Sequence, residues 1–208
     1  MIQQLNTLNP TQKKELVTIF TQAFADTPAF RIMFPDEQKR FKNVFWLATQ
    51  KLELMQNYYT IHSYQEGSIK GFSWWFAPDI KPKISIWQEI KHNFWQVPFR
   101  FGWKTFQHML NFSQQEKKLL LRATAQQPHW VLDVIGLSPD LHGKGIGSQL
   151  MQQILQQADE QQISCYVITR NARNLAFYQK LGFELEIEEE LPGYNLIAYG
   201  FRRQPKKV

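Results

Sequence analysis

The sequence predicts an α/β (α+β) fold in which a mixed sheet is flanked by helices. Three observations carry this reading. Two amphipathic helical patterns open the chain. Strand-like runs flank turn residues at Gln65-Glu66-Gly67 and again at Pro192-Gly193. From Trp130 onward the order is strand, glycine loop, helix, strand. With 208 residues, 43% hydrophobic and 14% aromatic, the chain can bury a substantial core and fits one domain spanning residues 1–208.

Asn9 followed by Pro10 reads as a helix cap and first-turn proline, after which Leu16, Val17, Phe20 and Phe24 recur at helical spacing. A second helix is expected in DEQKRFKNVFWLATQKLELM, with Phe41, Val44, Phe45, Ala48 and Leu52 on one side. YYTIHSY and SIKGFSWWFA then read as the strands of a hairpin, completing residues 1–80. The aromatic, basic segment 81–128 reads as an insert of two or three helices, broken near Pro98 and Gly102.

In residues 129–203, VLDVIGL is an almost continuously apolar run bounded by Ser138-Pro139, as a buried strand would be. Past the glycine loop, Ile146, Leu150, Ile154 and Ala158 recur every four residues, with Met151 and Leu155 beside them and glutamines on the other side. ISCYVIT is a further buried strand, and ARNLAFYQKLGF is a short helix stopped by Gly182. FELEIEEEL and YNLIAYGF close as an alternating strand pair, and RRQPKKV is a basic tail.

Composition narrows the function classes. Cys165 is the only cysteine, so neither an intrachain disulfide nor a cysteine-built zinc site can form, and the histidines show no metal-ligand spacing. No metal site is expected. The N-terminus lacks a basic head followed by an apolar run, and no stretch is apolar enough to span a membrane, so a soluble, cytoplasmic protein is expected. The net charge of +6 is uneven: residues 81–122 hold eight Lys or Arg against Glu89 and Glu116, which accounts for all of it.

The loop His142-Gly143-Lys144-Gly145-Ile146-Gly147-Ser148 stands at a helix N-terminus, where unpaired backbone N–H groups and the helix dipole attract an anion. Glycines let the backbone approach a phosphate closely, and Lys144 adds a mobile charge at the rim. A plain tight turn is the alternative. A Walker loop is excluded because Lys144 is followed by Gly145. A dinucleotide fingerprint would need glycine where Ser148 stands.

VIGLSPDLHGKGIGSQLM together with the later RNLAFYQKLGF resembles the acetyl-CoA-binding core of the GNAT superfamily of N-acetyltransferases. Within that superfamily, residues 129–203 are most similar to puromycin N-acetyltransferase and its relatives, whereas residues 1–128 match only in their order of elements. The resemblance implies a mixed, mostly antiparallel central sheet with a helical insertion before the cofactor-binding strand. It also implies that N–H groups of Gly143 to Ser148 bind the CoA pyrophosphate, and that backbone at Ile135, Gly136 and Leu137 pairs with the acetyl group and pantetheine, like an added strand. His142 stands where the family has Gln or Arg.

By the same resemblance, Asn174 faces the pantetheine arm, and the Tyr178 hydroxyl lies near the CoA sulfur, where a phenol can protonate the departing thiolate. Tyr178 packing beside Phe177 is the plainer reading of the same residue. A glutamate of the puromycin N-acetyltransferase-like sequences is replaced here by Ile168, which leaves Asp133 as the nearest acid, either a general base or a hydrogen-bonded strand aspartate. Cys165 reads as a small core residue rather than an acetylated nucleophile.

The expected activity is acetyl transfer from acetyl-CoA to the amine of a small molecule through a ternary complex. The alternatives are a protein or peptide N-acetyltransferase, and a non-catalytic CoA-binding or nucleic-acid-associated module. The insert could be a cap over the acceptor, a nucleic-acid surface or a membrane-surface helix. Its aromatic mass, including Trp87, Trp95, Trp103, Phe99 and Phe101, favours the cap and an acceptor with an aromatic portion, and disfavours nucleic acid.

Overall fold

The computed structural model describes residues 1–80, 92–124 and 127–206. In chain order these form β1 (Ile2–Leu5), α1 (Pro10–Phe24), α2 (Pro28–Met33), α3 (Glu37–Met55), β2 (Tyr59–Glu66), β3 (Ser68–Phe76), α4 (Val97–Phe101) and α5 (Trp103–Thr124). They continue with β4 (His129–Leu137), α6 (Ile146–Glu160), β5 (Ser164–Thr169), α7 (Leu175–Lys180), β6 (Glu184–Leu191) and β7 (Leu196–Arg203). The strands make a seven-stranded sheet in the order β1-β2-β3-β4-β5-β7-β6, in which β4 and β5 are the parallel pair and every other pairing is antiparallel.

The helix starts follow local chemistry. Asn9 and Gln12 form a reciprocal capping box ahead of Pro10, and the Asp36 side chain accepts the Lys39 N–H at the start of α3. Two short elements escape sequence reading. The strand β1 is four residues long and exists through its pairing with β2, Ile2 opposite Tyr64, which no local pattern announces. The helix α2 is a six-residue turn started by Pro28.

Helices cover both faces of the sheet. On one, Leu16, Val17 and Phe20 of α1 and Val44, Ala48 and Leu52 of α3 pack on Phe72 and Trp74. On the other, Met151, Ile154 and Ala158 of α6 pack on Trp75, Trp130, Leu132, Val167 and Phe201. Cys165 is fully buried there, and burial pushes its thiol up to about 12, so it is an inert core residue.

The described part of the 81–128 insert is helical, and Gly102, at φ +85°, makes the break between α4 and α5. Pro98 lies in the first turn of α4 and breaks nothing. The expectation that the insert's aromatics are buried is corrected in part. Phe101 packs 5.0 Å from Phe34 and 5.3 Å from Trp46, yet Trp95, Phe99 and Trp103 are 54%, 83% and 62% exposed. Positions 97, 101 and 105 face the body, and positions 95, 99 and 103 face away from it. Trp87 lies outside the described residues.

Candidate functional site

A bulge opens the sheet at its centre. Trp74 pairs with Val134 and Trp75 with Leu132, so Asp133 is an extra residue in β4, and such an insertion bends and twists the strand. Pairing between β4 and β5 runs only from His129 opposite Ser164 to Leu132 opposite Val167. Beyond that point Ile135, Gly136 and Leu137 pair with β3 alone, while Ile168 and Thr169 pair with β7 alone. Between them is a notch with one strand edge on each side.

The chain leaves β4 through a 3-10 turn at Pro139–Leu141 and enters the glycine loop. Gly143 and Gly145 take φ +75° and +77°, and a Cβ on either would meet nothing within 4 Å. Gly145 caps α6, no side chain caps that helix, and its first turn, Ile146, Gly147 and Ser148, has N–H groups with no intrahelical acceptor. His142, Gly143, Lys144 and Gly145 are exposed. The Lys144 N–H donates to the Leu141 carbonyl at 3.3 Å, so the open donors at the positive end of this 15-residue helix are those of Gly143, Gly145 and its first turn.

Gly147 ties the parts together, because a Cβ there would lie 3.4 Å from the Phe177 ring and 3.5 Å from Leu137. The end of β4, the start of α6 and α7 thus meet at one point. Gly136 is crowded by its own chain: a Cβ would lie 3.0 Å from the Phe72 ring, which by itself accounts for glycine at this position. The Asn174 side chain donates to Thr169 Oγ1 at 3.3 Å, fastening α7 to the end of β5. Tyr178 is buried among Phe177, Phe183 and Phe201, and burial holds its phenol well above the ordinary value of 10.

The Asp133 side chain belongs to a second cluster, built with α3 and β2. It accepts a short hydrogen bond from the Tyr59 hydroxyl and lies 2.9 Å from Lys51 Nζ. Burial would lower the Lys51 ammonium, but Asp133 and Glu116 more than offset this and raise it. Tyr59 is raised well above its ordinary value by burial and by the charge of Asp133. Nearby, Glu116 of α5 accepts a hydrogen bond of 3.1 Å from Arg170, whose guanidinium lies over the Phe112 ring.

This cluster borders a cavity of about 1300 Å³. Among the described residues it is walled by Phe20, Phe30, Leu47, Phe76, Met109 and Phe112, with Lys51, Glu116, His129 and Val131 also lining it. Sequence reasoning missed Lys51, Tyr59, Glu116 and Arg170. Only Lys51 left a signal, a lysine on the same helical stripe as Val44, Ala48 and Met55, all buried. Among the described residues, no group of His, Cys, Asp and Glu could hold a metal ion.

The model of the acetyltransferase (GNAT) family matches residues 106–183. Solved structures share the fold. A protein from Corynebacterium glutamicum described as a histone acetyltransferase HPA2 and related acetyltransferase is 18% identical, with 100% of this chain and 97% of that chain covered and a TM-score of 0.67. The ribosomal-protein-S18-alanine N-acetyltransferase of Escherichia coli is 12% identical, with 100% and 96% covered and a TM-score of 0.56. An agmatine N-acetyltransferase is 14% identical, with 98% of each chain covered and a TM-score of 0.58. By their names these proteins serve quite different acceptors, so the fold alone does not choose one.

Proposed function

We propose, from the match of residues 106–183 to the acetyltransferase (GNAT) family model, that residues 1–208 act as one domain moving an acetyl group from acetyl-CoA to a small-molecule amine, directly between two bound substrates. The observation that carries this reading is the fan of free N–H groups at the start of α6 beside the unpaired edge of β4. Its donor chemistry fits a diphosphate followed by an extended amide-containing arm, and the open space at Gly143 and Gly145 leaves room for one.

In this reading the N–H groups from Gly143 to Ser148 hold the pyrophosphate, and Lys144 and His142 stand at its rim. Backbone at Ile135, Gly136 and Leu137 receives the acetyl and pantetheine portion as an added strand, and Asn174 borders the same arm. When bound, acetyl-CoA supplies an activated thioester. The chain's own residues then manage protons. Tyr178 stays protonated because it is buried, and it donates to sulfur as negative charge develops there. Asp133, on the bulge of β4, accepts the proton that the acceptor nitrogen must lose.

The cavity between α3 and α5 receives the acceptor; its apolar walls suit a small molecule with an apolar portion. The likeness of residues 129–203 to puromycin N-acetyltransferase and its relatives supports the same class. We place the activity in the cytoplasm, which the buried free thiol of Cys165 suits. No helix among the described residues is long and apolar enough to cross a membrane.

Calorimetric titration with acetyl-CoA, followed by an amine screen for thiol release, tests the proposal. Saturable binding and acceptor-dependent release of CoA are expected; absence of heat with CoA would refute it.

A further inference from the structure

The cavity beside Asp133 combines apolar walls with one carboxylate that is only half engaged. Resting on the reading that this chain acetylates an amine, we infer that Glu116 anchors the acceptor's ammonium, and that the acceptors are monocationic primary amines with an apolar alkyl or arylalkyl body.

The charges bordering the cavity leave few groups free to act as the anchor. Asp133 already receives the Tyr59 hydroxyl and the Lys51 ammonium, and in the proposed reaction it is the proton acceptor and not the anchor. Lys51 pairs with Asp133 at 2.9 Å and also feels the charge of Glu116. Asp79 and Lys117 also line the cavity, are exposed and oppose each other in sign. Glu116 differs. Its Oε2 accepts from Arg170 while Oε1 has no partner among the described residues, and its side chain is 37% exposed on the cavity wall. A carboxylate accepts several hydrogen bonds, so Oε1 can take an ammonium without releasing Arg170. Arg170 follows the end of β5 directly, which places this carboxylate pair close to the notch.

The walls set the rest of the ligand. Phe20, Phe30, Leu47, Met109 and Phe112 offer no hydrogen bonds along the body of an acceptor, so an apolar body gains more from that side of the cavity than a polyamine or sugar does. A cavity of about 1300 Å³ holds an extended apolar chain or a ring system with room to spare.

The test is direct binding, read by tryptophan fluorescence and calorimetry, of octylamine, phenethylamine, 1-octanol and putrescine to the full chain without CoA. Octylamine and phenethylamine should bind at least about tenfold tighter than octanol or putrescine, the scale of one charge-assisted hydrogen bond. Glu116→Gln should bring octylamine to the affinity of octanol while octanol and CoA binding stay within about twofold, which also shows that the variant is folded. Leu47→Trp, which narrows the cavity, should shift preference from octylamine to butylamine. The inference is overturned if octanol matches octylamine, if Glu116→Gln leaves the amine-to-alcohol ratio unchanged, or if Leu47→Trp leaves chain-length preference unchanged. Failure of the parent reading looks different: the amines bind as stated, but no acetyl-CoA is consumed with any of them. Rapid turnover of putrescine with none of octylamine would keep acetyl transfer and refute the anchor.

Discussion

Lys51 Nζ of α3 lies 2.9 Å from Asp133 Oδ2, on the extra residue that the bulge places in β4. The pair joins the helical layer to the strand where the sheet parts, and Tyr59 donates to the same carboxylate. Asp133→Asn should lower kcat/KM roughly a hundredfold, the scale of a lost proton acceptor. Lys51→Met should leave kcat/KM within a few fold and cost only about 1 kcal/mol of stability, because the Lys51 side chain is 36% exposed and solvent screens the pair. Pre-steady-state kinetics across pH and denaturant melts measure both.

Tyr178→Phe removes one oxygen from a ring packed against Phe177, Phe183 and Phe201. Turnover should fall roughly a hundredfold while CoA affinity stays within about twofold, since only proton donation is lost. Equal losses of turnover and affinity would make the ring a packing element alone.

Gly145→Val places a β-branched side chain at φ +77°, a conformation costing roughly 1–3 kcal/mol for such a residue. Its Cβ would enter the space above the donors at the start of α6. CoA binding should be lost with the fold retained, as calorimetry and circular dichroism together would show.

Stability should peak between about pH 6.5 and pH 9, above which the unfolded Cys165 thiol ionises while the buried one keeps its proton. Burial lowers the folded-state pKa of His62 and His129 below the ordinary 6.5, so the unfolded chain takes up protons first and stability falls as pH drops below that value. Lys51 and Tyr59 are raised in the folded state, so their contribution is complete below about pH 10 and is lost as pH climbs through their folded values. Melting temperature against pH measures this; His62→Phe should flatten the acidic shoulder.

Arg203 is 4% exposed and donates to both carboxylate oxygens of Asp159, at 2.8 and 2.7 Å. Asp159→Ala strands a buried cation and should cost roughly 3–5 kcal/mol. Asp159→Ala with Arg203→Met should recover most of that loss in denaturant melts.

The core of this fold was legible where one physical signal sufficed. The four-residue spacing of Ile146, Leu150, Ile154 and Ala158 marks α6, all four being buried. What escaped needed long-range contact. β1 depends on Tyr64 and its neighbours, and the cluster of Lys51, Tyr59, Asp133, Glu116 and Arg170 draws one residue from each of five elements or their ends. The aromatics of the insert misled for a related reason: composition counts Trp95, Phe99 and Trp103 without saying which way each faces.

The four-residue pairing of β4 with β5 is all that hydrogen-bonds one antiparallel half of the sheet to the other. Each half is knitted by its own antiparallel ladders, so amide exchange should report two cooperative units, with fast exchange at those N–H groups of 133–137 and 168–169 that face the notch. An extended guest laid into that seam would complete the missing ladder and couple the halves. Occupancy would then register as added protection and a sharper melting transition, a readout that requires no turnover at all.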